Sequence, residues 1–250
     1  MLFSGGVDSV VAKAAHLALG SKAVAFTAVS PNLASGEKEN AASVAQQIGI
    51  SHHLLYTDEL SADGYVRNAG DRCYFCKTEL YTQIAQHAPR YQLTHIVSGA
   101  NQDDLGDYRP GLKAASENSV RHPLAECGFG KAEVRAIANA WNLPVWDKPA
   151  SPCLASRIAY GEEVTVERLA MIDRAEQLLR KHGLSPCRVR YHKGDLARVE
   201  IPLDALPLFA QITAREEVVK QFKTLGFRFI TLDLEGFRSG SLNQLVQISK

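Results

Sequence analysis

The chain has 250 residues, of which 46% are hydrophobic and 22% charged, and its formal net charge is +1 at pH 7. This balance is ordinary for a globular protein and argues against a broad surface for nucleic acid or for a membrane. No apolar run is long enough to span a bilayer and no secretory leader is recognisable, so we expect a cytoplasmic protein. In that compartment, the five cysteines are expected to be thiols, metal ligands or catalytic groups rather than disulfides.

The first half of the chain alternates between short apolar runs and stretches with helical periodicity. This pattern predicts strands at 22–30, 52–57 and 94–99, and helices at 9–19, 37–48, about 74–88 and 131–141. Strands and helices that alternate with short turns indicate a parallel sheet covered by helices on both faces. The predicted fold class is therefore α/β, with ligands bound at the carboxyl ends of the strands.

A segment rich in Pro, Gly and Ser, residues 144–164, separates this half from the rest of the chain. The elements predicted beyond it are a helix at 166–182 that stops at Gly183, strands at 188–192 and 196–202 joined by a KGD turn, a helix at 215–225 and a strand at 227–234. We therefore predict a nucleotide-binding domain at 1–150, a linker at 151–164 that carries Cys153, and a small C-terminal α+β module at 165–250.

The motif SGGVDS lies between three apolar residues, MLF, and the first predicted helix. Adjacent glycines let a phosphate approach the backbone, and a helix N-terminus offers unpaired N–H donors and partial positive charge. The candidate phosphate-binding residues are Ser4, Gly5, Gly6, Val7, Asp8 and Ser9. The motif is not a Walker A loop, because no lysine follows at the required spacing. A flexible strand-to-helix turn is the alternative, and the complete motif favours phosphate binding.

The second polar loop, SGANQDDLGDYRPG at 98–111, follows the strand predicted at 94–98 and should lie at the same edge of the sheet. Asp103, Asp104 and Asp107 supply the hard oxygen ligands that Mg²⁺ prefers beside the phosphates of ATP. Gly99 permits a close approach of the backbone. A solvated acidic loop is the alternative, and the position of the loop beside the first motif favours the metal site.

SGGVDS resembles the PP-loop of the N-type ATP pyrophosphatases, which have the adenine nucleotide alpha hydrolase-like fold and hold pyrophosphate in this loop. Five motifs in order look like the LarE family of sulfur transferases: SGGVDS, RCYFCK (72–77), GANQDDLGDYRPG, SPCLASRI (151–158) and LDLEGFRSGS (232–241). This resemblance covers nearly the whole chain. It implies that ATP and Mg²⁺ are used to adenylate a carboxylate of pyridinium-3,5-biscarboxylic acid mononucleotide, which then becomes a thiocarboxylate during biosynthesis of the nickel-pincer cofactor.

The resemblance also implies roles for individual residues and for partners. Lys77 matches a lysine near the ATP phosphates. The residues that match substrate-binding positions are Arg188, Arg190, Arg238, Glu176 and Glu200, and a solvated charged face is the alternative for each. The expected partners are LarB- and LarC-type enzymes, and the expected state is a homo-oligomer whose C-terminal modules help to form the substrate sites. Because the family has a full strand before the PP-loop, the chain is expected to start late and to have a shortened central strand.

The cysteines allow two sources of sulfur. Cys153 matches the position whose own sulfur is donated in the sacrificial type of LarE, which leaves dehydroalanine. In a second type, three cysteines matching Cys73, Cys76 and Cys153 hold a [4Fe–4S] cluster whose fourth iron carries an additional sulfide. The three-cysteine pattern favours the cluster here, and a zinc site is the alternative. Cys127 and Cys187 fit neither scheme and are expected to be small hydrophobic residues.

Three other functions remain open from the sequence. A tRNA thiolase would also combine a PP-loop with cysteines, but it needs a basic RNA-binding face, for which a net charge of +1 gives little support. An amide-forming ligase like the GMP and NAD synthetases would share SGGVDS and leave the CxxC unused. A nucleotide sensor would bind ATP without turnover.

Overall fold

The computed structural model describes residues 1–106, 109–210, 212–238 and 242. The chain divides into an N-terminal unit, Met1–Tyr65 with Asp71–Ser151, and a C-terminal unit, Val66–Gly70 with Pro152–Lys250. Apart from its first residue, the segment predicted as a linker lies within the C-terminal unit. Cys73 and Cys76 therefore belong to one unit and Cys153 to the other.

The six predicted helices lie close to their predicted positions, and the short helices at Asp63–Val66, Pro110–Glu117, Pro123–Glu126 and Leu206–Ala210 were not predicted. In chain order they are α1 (Val10–Leu19), α2 (Glu37–Ile48), α3 (Asp63–Val66), α4 (Arg72–His87), α5 (Pro110–Glu117), α6 (Pro123–Glu126), α7 (Lys131–Ala140), α8 (Val166–Lys181), α9 (Leu206–Ala210) and α10 (Ile212–Leu225). Glycines in the left-handed region flank α2 on both sides, at Gly36 and Gly49. No helix in the described part of the chain is long and apolar enough to cross a membrane.

The sheet of the N-terminal unit is parallel. Strand β1 (Val24–Val29) pairs with β2 (Ser51–Tyr56), and Leu2 forms a parallel bridge with Phe26 on the other side of β1. The amide of Leu2 also donates to the carbonyl of Val97 at 3.0 Å. Residues 1–3 thus lie between β1 and the segment around Val97, and the PP-loop follows them at their carboxyl end.

The strand predicted at 94–99 is present only as an isolated parallel bridge between Val97 and Arg121. Its backbone bonds run from Ser98 to the carbonyl of Arg121 and from Arg121 to the carbonyl of Ile96. The neighbouring segments contribute only a few residues each, so no continuous ladder forms. The loop that begins at Gly99 nevertheless leaves this segment at the carboxyl edge of the sheet.

Helices cover both faces of the sheet, as the sequence predicted. On one face Ala25 packs with apolar residues of α1, α2 and α7, among them Val11, Val44 and Val134. On the other face Phe26 of β1 packs with Ile84 of α4. Because successive side chains of a strand point to opposite faces, β1 contributes to both cores. The α/β fold class is confirmed.

The C-terminal unit contains a three-stranded sheet in the order β3 (Arg188–His192), β4 (Leu196–Glu200) and β5 (Phe229–Leu232). The first two strands form the predicted antiparallel hairpin, and β5 lies parallel to β4. The KGD turn places Gly194 at φ +80° and Asp195 at φ +57°, which a tight turn requires. Helix α8 is capped by the preceding residue, Thr165, whose hydroxyl accepts the amide of Arg168 at 3.2 Å.

Candidate functional site

The PP-loop is packed tightly on the start of α2. The amide group of Asn40 donates through Nδ2 to the carbonyl of Gly5 at 2.9 Å. Gly5 has φ +65°, and a Cβ added to it would lie 2.8 Å from the Cα of Ala41. Both the backbone conformation and the available space therefore require glycine at this position.

The next residues leave unpaired donors at the start of α1. A single turn of 3₁₀ helix at Val7–Ser9 leads into the helix, and the amide of Ser9 donates to the carbonyl of Gly6 at 3.0 Å. Within the described residues, the amides of Gly5, Gly6 and Val7 donate to no backbone carbonyl. The Ser9 hydroxyl is buried and also has no protein partner there. Buried donors of this kind need a ligand, and the start of a helix suits a phosphate.

Gly99 brings the second polar loop against the PP-loop. A Cβ added to Gly99 would lie 2.4 Å from the Cβ of Asp8, so only glycine allows this approach. The neighbouring Ser98 is fixed by a 2.7 Å contact between its Oγ and Nδ1 of His122. The two loops that the sequence placed at the carboxyl edge are thus in direct contact.

Asp8 carries an unusual carboxyl group for a phosphate site. Its Oδ1 is buried and has no hydrogen-bond partner among the described residues. Burial raises the pKa of Asp8 to about 6, an effect that Lys131 opposes and the negative charge of Asp104 reinforces. Arg109 and Arg135 also favour the ionised form. The side chain is therefore ionised at neutral pH but poorly solvated.

The two carboxylates predicted to hold Mg²⁺ already have protein partners. Asp103 accepts the amide of Lys131 at 2.8 Å, at the start of α7. Asp104 accepts from Arg109 at 2.8 Å and from the amide of Asn101 at 3.1 Å. Each carboxylate retains lone pairs for a further contact. The third candidate, Asp107, lies outside the described residues.

Helix α4 presents Cys73, Cys76 and Lys77, which fall on one face because they are three and four residues apart. Cys73 is exposed, whereas Cys76 and Lys77 are half-buried. Gly111 in the first turn of α5 packs beside them: a Cβ there would lie 3.1 Å from Cγ of Lys77 and 4.0 Å from Cβ of Cys73. This face therefore joins two thiols and an ammonium group.

Across the residues that the structure describes, no three or more His, Cys, Asp or Glu side chains come together as metal ligands. A Mg²⁺ ion that arrives with ATP needs only one or two carboxylates, so Asp103 and Asp104 still fit that role. An iron–sulfur cluster on this protein would need all three of its predicted cysteine ligands at one place. The predicted cluster ligands, Cys73, Cys76 and Cys153, are divided between the two units, so that assignment stays a prediction.

In the C-terminal unit, Cys153 precedes a short 3₁₀ helix, Leu154–Arg157. The guanidinium of Arg157 donates to the carbonyl of Cys153 at 2.9 Å and pairs with Glu176, with Nε 3.0 Å from Oε1. Arg157 is only 1% exposed. Sequence reasoning missed this residue, although an arginine four positions after the cysteine within SPCLASRI was the available signal.

The two acidic residues carried over from the family are fully buried and paired. Glu200 binds Arg190, with Nη2 2.9 Å from Oε2, and also Arg198 at 3.3 Å. Glu176 binds Arg180 at 2.8 Å in addition to Arg157. The charges of these carboxylates are balanced by arginines inside the protein, and a direct contact with substrate stays a prediction.

Arg188 and Arg238 are less buried than the two paired glutamates. Arg188 is half-buried, and its guanidinium carbon lies 5.2 Å from the ring centre of Phe237. Burial and, after it, the positive charge of Arg157 lower the pKa of Arg188 to about 10, while the negative charge of Glu176 opposes them. Arg238 pairs with Glu235 and lies 3.8 Å from Asp233. The three residues after Arg238, which complete the predicted EGFRSGS turn, lie outside the described residues.

The two remaining cysteines differ in their burial. Cys187 is buried, and burial raises the pKa of its thiol to about 11, as expected for a small hydrophobic residue. Cys127 is exposed at the end of α6, so the expectation of a buried residue there is wrong. The sequence CGFG places it in a turn, where the surface is the usual location.

Comparison with known proteins gives three relatives that cover nearly the whole chain, and no protein-family model matches it. An uncharacterized protein of Synechocystis is 48% identical over 98% of this chain and 91% of its own. The pyridinium-3,5-bisthiocarboxylic acid mononucleotide synthase of Lactiplantibacillus plantarum is 37% identical over 96% of this chain and 87% of its own. An uncharacterized protein of Methanocaldococcus jannaschii is 29% identical over 95% and 89%, respectively. The chain therefore belongs to the family of the pyridinium-3,5-bisthiocarboxylic acid mononucleotide synthase, the LarE sulfur transferases.

Proposed function

We propose that this protein is an ATP-dependent sulfur transferase that converts a carboxylate of pyridinium-3,5-biscarboxylic acid mononucleotide into a thiocarboxylate. The observation that carries the proposal is the contact of Gly99 with Asp8 beside the buried, unpartnered Ser9 hydroxyl. This geometry supports a phosphate site in a member of a family whose named relative is a pyridinium-3,5-bisthiocarboxylic acid mononucleotide synthase. The proposed reaction belongs to nickel-pincer cofactor biosynthesis.

This phosphate site accounts for the activation of the carboxylate. The amides at the start of α1 and the Ser9 hydroxyl would bind the β and γ phosphates of ATP. A substrate carboxylate oxygen then attacks the α phosphorus, the bond to the bridging oxygen breaks, and pyrophosphate leaves. The ammonium group of Lys77, with no ion pair among the described residues, would stabilise the charge of the leaving pyrophosphate. Mg²⁺, held in part by Asp103 and Asp104, would neutralise phosphate charge when bound.

Arg188 is a ligand for the phosphate or carboxylates of the substrate in this proposal, because further positive charge surrounds it. The guanidiniums of Arg157 and Arg190 form two-point ion pairs with Glu176 and Glu200. Arg188 is held near those two positive charges, which together with burial disfavour its charged form. An anion bound beside it would offset that repulsion and could form a two-point contact with the planar guanidinium.

The cysteines supply the sulfur or hold the group that carries it, in one of two ways. We propose a [4Fe–4S] cluster on Cys73, Cys76 and Cys153, because the sacrificial route gives no role to the two thiols beside Lys77. When bound, such a cluster would present a sulfide to the acyl adenylate. In the alternative, the Cβ–Sγ bond of Cys153 breaks, its sulfur stays with the product, and the residue becomes dehydroalanine. The homo-oligomer and the LarB- and LarC-type partners stay predictions.

The direct test is pyrophosphate release from ATP with and without the pyridinium mononucleotide. We expect release to depend on that substrate, and mass spectrometry should show product in which oxygen is replaced by sulfur. Release that requires tRNA instead would indicate a thiolase, and amide formation with ammonia would indicate a ligase. ATP binding without pyrophosphate release in any mixture would indicate a nucleotide sensor.

Replacing Arg188 by Ala should weaken binding of the pyridinium mononucleotide about ten- to a hundredfold, since one charge-assisted contact contributes about 1.5–3 kcal/mol. ATP affinity should change little, because the phosphate site lies in the other unit. Both affinities can be measured by isothermal titration. Arg174, an exposed arginine of α8, gives the matched control, and its Ala variant should bind both ligands normally. Unchanged substrate affinity in the Arg188 variant would remove this residue from the binding site.

A further inference from the structure

Two buried arginines hold the backbone of the segment that carries Cys153. We call residues 152–156 the cysteine segment. Nη1 of Arg157 donates to the carbonyl of Cys153 at 2.9 Å and to Oγ of Ser156 at 3.2 Å. The same Nη1 donates to the carbonyl of the preceding proline. Nη1 of Arg190 donates to the carbonyl of Ser156 at 3.1 Å. Three of the five carbonyls of the segment are thus bound by arginine.

Both arginines are themselves fixed by buried carboxylates. Arg157 is 1% exposed and its opposite edge pairs with Glu176, with Nε–Oε1 and Nη2–Oε2 distances of 3.0 and 3.3 Å. Arg190 pairs with Glu200 in the same two-point manner. A guanidinium can bind a carboxylate on one edge and carbonyls on the other because its five donors form a rigid plane. A lysine could not reproduce this geometry.

The carboxylates belong to regular elements of the C-terminal unit. Glu176 lies in the middle of α8, and Glu200 is the last residue of β4. Buried ion pairs of this kind commonly add little stability relative to apolar residues of the same size. Their presence here is therefore better explained by what the arginines hold than by stability, and what Arg157 holds is the backbone of Cys153.

We propose that Arg157 is a positioning residue for the Cys153 thiol, and that Glu176 acts through Arg157 by fixing its orientation. This inference rests on the proposed function, in which Cys153 donates the sulfur or binds the iron that carries it. It applies to both routes, because each needs the sulfur atom of Cys153 in a defined place. Glu176 then serves sulfur delivery through Arg157 rather than through a direct contact with substrate.

The test is the rate at which iodoacetamide alkylates Cys153 in iron-free protein, followed by peptide mass spectrometry. The double variant Arg157→Met with Glu176→Gln removes the clamp and leaves no unpaired buried charge. We expect the Cys153 rate to change about fivefold or more, as for a segment that has lost its local constraint. The exposed Cys73 and Cys127 should react as in the wild type, and they serve as internal references.

Two further variants separate positioning from general destabilisation. Arg180 also binds Glu176, at 2.8 Å, but makes no contact with the cysteine segment among the described residues, so Arg180→Gln should leave the Cys153 rate unchanged. Arg157→Lys keeps the charge and loses the planar fork, so it should behave like the double variant. Labelling of the buried Cys187 reports unfolding. If the double variant unfolds, the alkylation rate of Cys153 in the Arg157→Lys variant decides whether Arg157 positions Cys153.

Turnover gives a second, independent measurement. In the Arg157 variants we expect the single-turnover rate of thiocarboxylate formation to fall at least tenfold while the affinity for ATP and the first release of pyrophosphate stay near wild type. Unchanged Cys153 alkylation in the lysine and double variants would overturn the positioning role, even if the wild type makes thiocarboxylate. A wild type that makes no thiocarboxylate would refute the proposed function instead, and the alkylation rates, which need no substrate, would still report whether Arg157 holds Cys153.

Discussion

Replacing Asp8 by asparagine is expected to lower pyrophosphate release about a hundredfold or more, while the folded protein becomes more stable above pH 6. Asparagine has the same shape, so its Cβ can keep the close contact with Gly99. The lower rate would then reflect the missing negative charge, which would face the cations that accompany the ATP phosphates. Removal of a charged group at such a site commonly lowers the rate by about this factor. The measurement is pyrophosphate release at saturating ATP and substrate.

The stability effect has the opposite sign and follows from the pKa of Asp8. Burial raises this pKa from 3.8 to about 6, so between these values the folded state binds more protons than the unfolded state. Wild-type stability should therefore decrease as pH rises from about 4 to 6, by an amount on the order of 2–3 kcal/mol in total. The asparagine variant lacks this decrease. Urea unfolding at pH 4 and pH 8 measures it.

The exposed Asp147 of the same unit supplies the control, because Asp147→Asn should alter neither pyrophosphate release nor the pH dependence of stability. An Asp8→Asn variant that is both folded and fully active would show that the PP-loop does not need this carboxylate. A variant that is inactive and also less stable than the wild type at pH 8 would instead indicate a structural role.

Replacing Cys153 by serine should abolish thiocarboxylate formation and leave substrate-dependent pyrophosphate release intact. In the proposed mechanism, adenylation uses the PP-loop of the N-terminal unit, whereas sulfur delivery needs the thiol. The Cys73→Ser variant distinguishes the two sulfur sources. With a cluster, anaerobic protein should be brown with about four irons per site. The Cys73→Ser variant should then be colourless and inactive, and added sulfide should support repeated turnover by the wild type.

The exposed Cys127 is the matched control for Cys73, and Cys127→Ser should retain both iron and turnover. The sacrificial route predicts different products: each chain works once and becomes lighter by one hydrogen sulfide, with dehydroalanine at 153. A colourless anaerobic protein whose Cys73→Ser variant still forms thiocarboxylate would establish that route. Intact-mass spectrometry after one turnover provides the measurement.

Much of the fold could be predicted because local signals agree with it. Glycines with positive φ flank α2 and follow α8, at Gly36, Gly49 and Gly183, so helix ends were visible in the sequence. The strand at 94–99 was overestimated because its length depends on its neighbours, and among the described residues the segments beside it offer a hydrogen bond from the amide of Leu2 and an isolated bridge with Arg121. Apolar composition shows that a segment can form a strand but not how many partners it has.

In the candidate site, too, one contact could be predicted from the sequence and another could not. The contact of Gly99 with Asp8 was predictable, since both loops follow segments that end at the same edge of a parallel sheet. The pairing of Glu176 with Arg157 was not, because the two residues are 19 positions apart in sequence and belong to different elements. Charge alone could not show whether such a glutamate faces a substrate or an arginine.

The pairing of Arg190 with Glu200 in the interior has a consequence for how the family can change its sequence. Loss of Glu200 alone would leave the buried charge of Arg190 without its carboxylate, and such a loss typically costs about 3–5 kcal/mol, a large part of the stability of many proteins. Glu200 also binds Arg198, so a change there affects three side chains together. We expect the positions corresponding to 190 and 200 to be gained and lost as a set among homologues, so that substitutions at these positions occur together rather than one at a time.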